Sequence, residues 1–123
     1  MAAAYLECRG YSIISRNWRS RRGEIDLICS RGEKIVFVEV KTRGETDFGL
    51  PGDALTAKKS RRLLQAASLY LSQNDLWNRP CRFDLLSVSL REQGCEIRHD
   101  RDIISSSQDG SALGRGHAHW QPW

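Results

Sequence analysis

The chain has 123 residues, a length that fits one domain with a single modest core. No apolar run approaches membrane-spanning length, and the start, Met1-Ala2-Ala3-Ala4-Tyr5-Leu6-Glu7, lacks the basic region and long apolar core of a signal peptide, so a cytoplasmic protein is expected. The net charge of +4 is uneven: residues 1–62 carry 13 Lys/Arg against 8 Asp/Glu and residues 63–123 carry 6 against 7, which puts a footprint suited to nucleic acid in the first half.

Taken in order, residues 2–9 read as the end of a helix, rich in Ala and closed by Gly10. Tyr11 to Trp18 reads as a first strand whose apolar content is Ile13, Ile14 and Trp18. Asn17 to Arg22 is then a basic link in which Arg19, Arg21 and Arg22 are placed to grip a phosphate backbone, while Trp18 is assigned to the core.

The stretch Gly23 to Arg43 reads as a β-hairpin around the turn Ser30-Arg31-Gly32-Glu33. Side chains alternate along a strand. Ile25 and Leu27 are therefore expected on one face with Val36, Val38 and Val40, and Glu24 and Asp26 on the other with Phe37, Glu39 and Lys41. Burying the aliphatic set requires pairs whose residue numbers sum to 63 or 65. Either register brings Asp26, Glu39 and Lys41 together. Ile35 to Val40 is nearly all apolar, as in a central strand covered on both faces. Two carboxylates there repel each other unless a cation sits between them, and hard oxygen ligands suit Mg²⁺ or Mn²⁺. The alternative is a solvated Glu39–Lys41 ion pair near a strand end.

Gly44 to Asp53 is a glycine-rich polar loop that follows directly on Lys41. Thr56 to Leu71 is the main helix, with Thr56 as N-cap and an apolar face of Leu63, Ala66, Ala67, Tyr70 and Leu71. Lys58, Lys59, Arg61 and Arg62 crowd its first turns. Positive charges there oppose the helix dipole, so an anionic partner explains them better than local stability does. Ser72 to Pro80 is a loop, Arg82 to Leu90 a strand, and Cys95 to Arg98 a short edge strand. Asp84 is expected to be structural, as the partner of a nearby arginine. From Ser105 onward the chain is small, polar and aperiodic, a disordered tail. Cys8, Cys29, Cys81 and Cys95 form no C-x-x-C pair and are expected to be free thiols. The order α-β-β-β-α-β-β gives an α/β domain with a mixed sheet flanked by helices.

The runs Gly23-Glu24-Ile25-Asp26-Leu27-Ile28, Val36-Phe37-Val38-Glu39-Val40-Lys41-Thr42-Arg43 and Arg82-Phe83-Asp84-Leu85-Leu86 resemble the YraN family of small bacterial proteins. That family is similar to the PD-(D/E)XK nuclease superfamily and, within it, to archaeal Holliday-junction resolvases. The resemblance covers roughly residues 2 to 100 and implies a restriction-endonuclease-like domain over 1–104. It implies that Asp26 is the first acidic residue and Glu39-Val40-Lys41 the (D/E)XK. Asp26, Glu39 and the Val40 carbonyl would hold Mg²⁺ or Mn²⁺, and Lys41 would position the attacking water. Glu24 and Gln65 are supporting candidates; Glu24 would orient a metal-bound water or contact Arg22. In the resembled family the first helix is longer and brings a glutamate to the acidic site; Glu7 does not match it by position. The expected function is metal-dependent hydrolysis of nucleic-acid phosphodiesters, DNA foremost, by structure rather than sequence. Arg19, Arg21, Arg22, Arg43, Lys58, Lys59, Arg61 and Arg62 would bind the backbone, and a branched substrate would favour a homodimer. The rival expectation is a non-catalytic nucleic-acid-binding module.

Overall fold

A computed structural model describes residues 1–44 and 56–104. The expectations for the loop beyond Gly44 and for the tail from Ser105 lie outside the described residues. The elements follow the order read from the sequence: α1 (Ala2–Cys8), β1 (Ser12–Ser20), β2 (Gly23–Arg31), β3 (Lys34–Arg43), α2 (Ala57–Gln73), β4 (Cys81–Arg91) and β5 (Gly94–Asp100). The sheet runs β1-β2-β3-β4-β5. Only β3 and β4 are parallel, because the chain between them crosses over through α2; the other pairs are antiparallel neighbours.

The central position of β3 explains its composition. Ile35 and Phe37 point into a core closed by Leu63, Ala66, Ala67, Tyr70 and Leu71 of α2. Val36 and Val38 point into a second core closed by Ala3 and Leu6 of α1, with Val40 packed at its margin. All four residues Ile35 to Val38 are 1% exposed or less. Burying one such side chain contributes roughly 1.5–3 kcal/mol, so two covered faces hold this strand firmly. Helix α2 starts where expected: the Thr56 hydroxyl accepts from the Lys59 amide at 3.1 Å.

The hairpin register is resolved as the 65 alternative, with Leu27 opposite Val38, Ile28 opposite Phe37 and Cys29 opposite Val36. One expectation fails. Ile25 does not share the face of Leu27; it lies in the α2-side core with Ile28, whereas Leu27 lies in the α1-side core. The paired register of β2 and β3 ends at Leu27 and Val38. One step further the Asp26 carboxylate, rather than a strand carbonyl, accepts the Val40 amide at 2.8 Å. Strict alternation lapses at Asp26, and Ile25 turns toward α2 beside Trp18, its partner on β1.

β1 also departs from the simple reading. It extends to Ser20, so Arg19 belongs to the strand and the basic link shrinks to Arg21 and Arg22. Its register shifts by one residue between Ile13 and Ser15, which leaves Ile14 46% exposed. Trp18 packs edge-on against Tyr70 of α2 at 5.5 Å, as the core assignment requires.

Asp84 is the partner of an arginine, and of more. It is fully buried under the α1 face. Arg82 grips it with Nε and Nη2, each at 2.8 Å, and also donates to the Tyr11 hydroxyl at 2.6 Å. His99 Nε2 sits 2.7 Å from Oδ2, and the Asp102 amide donates to Oδ1 at 3.0 Å. The carboxylate ties β4, β5 and the residues after β5 into one network. Removing one partner of a buried ion pair strands the other. Asp84→Ala is expected to cost about 3–5 kcal/mol of stability, read as a lowered midpoint in urea.

All four cysteines are free. Burial pushes the Cys29 and Cys81 thiols up to about 12, while Cys8 and Cys95 are exposed. A thiol-specific chromogenic reagent is therefore expected to titrate Cys8 and Cys95 in the native protein and to reach Cys29 and Cys81 only after denaturation.

Candidate functional site

The charges gather where β3 leaves the cover of the two helices. Ile35 to Val38 are buried, Glu39 to Lys41 half-buried, and Thr42 exposed. Glu39 faces α2, in line with Ile35 and Phe37. Asp26 meets it at the opened end of β2, its carboxylate anchored on the amide of Val40, the residue after Glu39. The two acids line one cleft of about 550 Å³ beneath the N-terminal turns of α2. Its other wall is basic, formed by Lys58, Lys59 and Arg62, with Thr56 and Leu63 between.

Glu39 is the costly residue in this arrangement. Its side chain is only 11% exposed. Loss of hydration pushes its carboxyl above the ordinary 4.5, and the neighbouring Asp26 charge pushes the same way. Against these, Lys59 forms an ion pair at 2.7 Å, and Lys41 adds a weaker favourable field. Desolvation wins, so the ionised form is held at a cost even with its partner in place.

Lys59 is the residue that reading the sequence missed in this role. It was expected on a phosphate-binding face, and the carboxylates were expected to need a metal or a solvated Lys41. The structure instead turns the Lys59 ammonium onto Glu39, leaving it 39% exposed. The available signal was Thr56: a capped helix start fixes which residues of its first turn look back at the sheet.

The other expected site residues separate into groups. Lys41 lies two residues beyond Glu39 on β3 and is half-buried. Glu24 lines the cleft, but its partner is Arg19 at 3.7 Å across the β1–β2 ladder, not Arg22. The Arg22 amide donates instead to the Ser20 hydroxyl at 3.0 Å. Gln65 and Arg61 are exposed on α2, whereas Lys58 and Arg62 face the cleft. Arg43 is half-buried at the end of β3.

Gly23 joins the two basic runs. It adopts φ +153°, and a Cβ placed on it would lie 3.5 Å from the Arg62 carbonyl and 3.7 Å from the Ala66 methyl. β2 thus begins against α2 in ordinary contact with Arg62 and Ala66, directly after the Arg21–Arg22 turn. Among the described residues, no three or more His, Cys, Asp or Glu side chains cluster as a complete metal site. No helix among them is long and apolar enough to cross a membrane.

The model of the family described as Uncharacterised protein family UPF0102 matches residues 1–88. The chain belongs to this family. Among its relatives, a UPF0102 protein of Nitratidesulfovibrio vulgaris is 46% identical over 99% of this chain and 89% of its own length. One from Lawsonia intracellularis is 36% identical over 99% and 90%. One from Symbiobacterium thermophilum is 54% identical over 71% and 74%. Among solved structures, that of Pyrococcus furiosus SfsA in complex with Ca²⁺ is 14% identical, with a TM-score of 0.37, over 81% of this chain. The chain spans 58% of that protein, and a likeness this slight carries no argument.

The cost of ionising Glu39 has a measurable sign. The folded protein takes up its proton more readily than the unfolded chain does. The penalty is therefore absent below about pH 4.5 and grows as pH rises through the raised value. Glu39→Gln is expected to be more resistant to urea than wild type at pH 7, with the difference closing as the pH is lowered below about 4.5, in unfolding curves taken across that range.

Proposed function

We propose that this UPF0102 protein is a metal-dependent endonuclease that hydrolyses nucleic-acid phosphodiesters, DNA foremost, selecting substrates by structure rather than by sequence. The observation that carries the reading is the cleft itself. Two carboxylates, one of them costly to ionise, face a wall of lysine and arginine across a space open to a phosphate backbone. A half-buried carboxylate whose ionisation is disfavoured beside a cleft is a candidate for function.

The residues fit a hard divalent cation. Asp26 and Glu39 supply carboxylate oxygens, and the Val40 carbonyl follows Glu39 directly on β3. Mg²⁺ commonly binds through one or two carboxylates and keeps several waters, so a third protein carboxylate is not required. When bound, such an ion polarises a phosphate and acidifies a water. Lys41, adjoining the pair, would hold that water and stabilise charge growing on the phosphate oxygens. Lys58 and Arg62 would seat the backbone, with Arg19, Arg21, Arg22, Arg43 and Arg61 extending the contact. The resemblance to the PD-(D/E)XK superfamily supports the same roles for Asp26, Glu39 and Lys41. Among the described residues no element presents a base-reading helix, which favours branched, flapped or terminal structures, and a branched substrate would suit a homodimer.

A second reading has an observation of its own. Lys59 neutralises Glu39 within the protein, as a nucleic-acid-binding module with a vestigial site would require.

The test is cleavage of labelled linear, flapped and four-way-junction DNA with Mg²⁺, Mn²⁺ or EDTA. Wild type is expected to cut only with metal, and Glu39→Ala and Asp26→Ala to lose cutting while still binding. Lys41→Ala is expected to lower turnover by about 10²–10³, within the range seen for removal of one charge-stabilising group. DNA binding without cutting in any metal would establish the binding module instead.

A further inference from the structure

The ion pair that covers Glu39 has a second consequence, which rests on the metal-dependent reading above. Lys59 and Glu39 are unlike the other charge pairs among the described residues. Arg19–Glu24, Arg91–Glu96 and Arg98–Asp100 are more exposed at both partners. Arg82–Asp84 is sealed, held from several sides by further donors. In Lys59–Glu39 the acid is 11% exposed and the base 39% exposed, and the contact spans the cleft from helix to sheet. The buried partner is fixed to the central strand. The other partner is the tip of a flexible four-carbon chain beside open space. An ammonium on such a stem can change its contact without any movement of the backbone.

The position of Lys59 adds to this. Its backbone is fixed by the Thr56 cap, so the root of the side chain stays in place whichever partner its tip takes. Lys58 and Arg62 line the same cleft, so a phosphate entering it would meet three cations if Lys59 were released and two if it were not.

We infer that Lys59 is an exchangeable counter-ion: it occupies the cation position at Glu39 in the metal-free protein, yields Glu39 to a divalent cation, and then binds a phosphate of the nucleic acid in the cleft. The exchange is a swap of partners with no covalent step. It makes metal and nucleic acid mutually supportive, since each takes one half of an existing ion pair. It also keeps the carboxylate compensated between substrates, and the reciprocity that linkage demands follows directly.

Two measurements test it, neither of them activity. The first is Mn²⁺ affinity, from the free-ion signal in electron paramagnetic resonance, for wild type, Lys59→Met and Lys59→Gln. Removing a competing cation at a half-exposed site is expected to tighten Mn²⁺ binding about tenfold in both variants. The second is binding of a short labelled DNA duplex in EDTA. Glu39→Gln frees Lys59 without metal and is expected to strengthen DNA binding about three- to tenfold, a gain that shrinks sharply in Glu39→Gln/Lys59→Met. Unchanged or weakened Mn²⁺ binding on neutralising Lys59, or an equal Glu39→Gln gain in both backgrounds, overturns the exchange and leaves the nuclease reading standing. Failure of every variant and of wild type to bind Mn²⁺ overturns the metal reading and the exchange with it.

Discussion

The structure depends on the double burial of β3. A strand covered by α1 on one face and α2 on the other has no solvated side on which to place a charge, so its buried stretch must be aliphatic and aromatic on both faces. The first charge that can be tolerated is the one at which the cover ends, and that residue is Glu39. Its distance from the buried stretch is zero residues: Val38 is 1% exposed and Glu39 follows it. The candidate site is arranged around that boundary. Asp26 is there because the β2–β3 register ends at Leu27 and Val38, and Lys59 is there because α2, which covers Phe37, brings its first turn to Glu39, two residues further along the strand.

The order of elements, the central place of β3 and the start of α2 were legible in the sequence because each rests on a short-range rule: apolar runs, a capping threonine, glycine-bearing turns. The hairpin left two registers open, since turn length alone does not separate them, and the structure takes the 65 alternative. The misplacement of Ile25 has a different origin. Period-two alternation holds only while a ladder is intact, and here a side-chain carboxylate replaces a strand carbonyl at Val40. A local pattern cannot announce that its own hydrogen bonds are about to be taken over by a side chain. Arg19 and Glu24 were likewise assigned apart because β1 was ended two residues early; once β1 runs to Ser20 they face each other across the ladder.

The candidate site was legible in kind and not in wiring. Two acids and a lysine could be brought to one end of the hairpin from sequence alone, because strand geometry fixes where side chains point. Which basic group would meet Glu39 depended on how a helix some 20 residues later packs across the sheet, and that is tertiary information. The same distance in sequence hides the contact that the start of β2, at Gly23, makes with Arg62 of α2.

The fully buried Asp84 and the half-buried Glu39 show why position alone does not decide a role. Asp84 receives a forked arginine, a histidine and a main-chain amide, so its carboxylate is saturated and the sheet is locked through it. His99 comes from β5 and the amide of Asp102 from the residues after it, so these contacts hold β5 and its continuation against β4. Glu39 has one close cation, on a flexible stem, at the edge of open space, and a second carboxylate near enough to raise its proton affinity. Its compensation is incomplete in the folded chain, and the shortfall is what a stronger cation would relieve. A carboxylate that is satisfied contributes rigidity; one left partly unsatisfied beside a cleft retains free energy for binding. On that physical difference, rather than on burial or charge as such, Asp84 belongs to the fold and Glu39 to the proposed site.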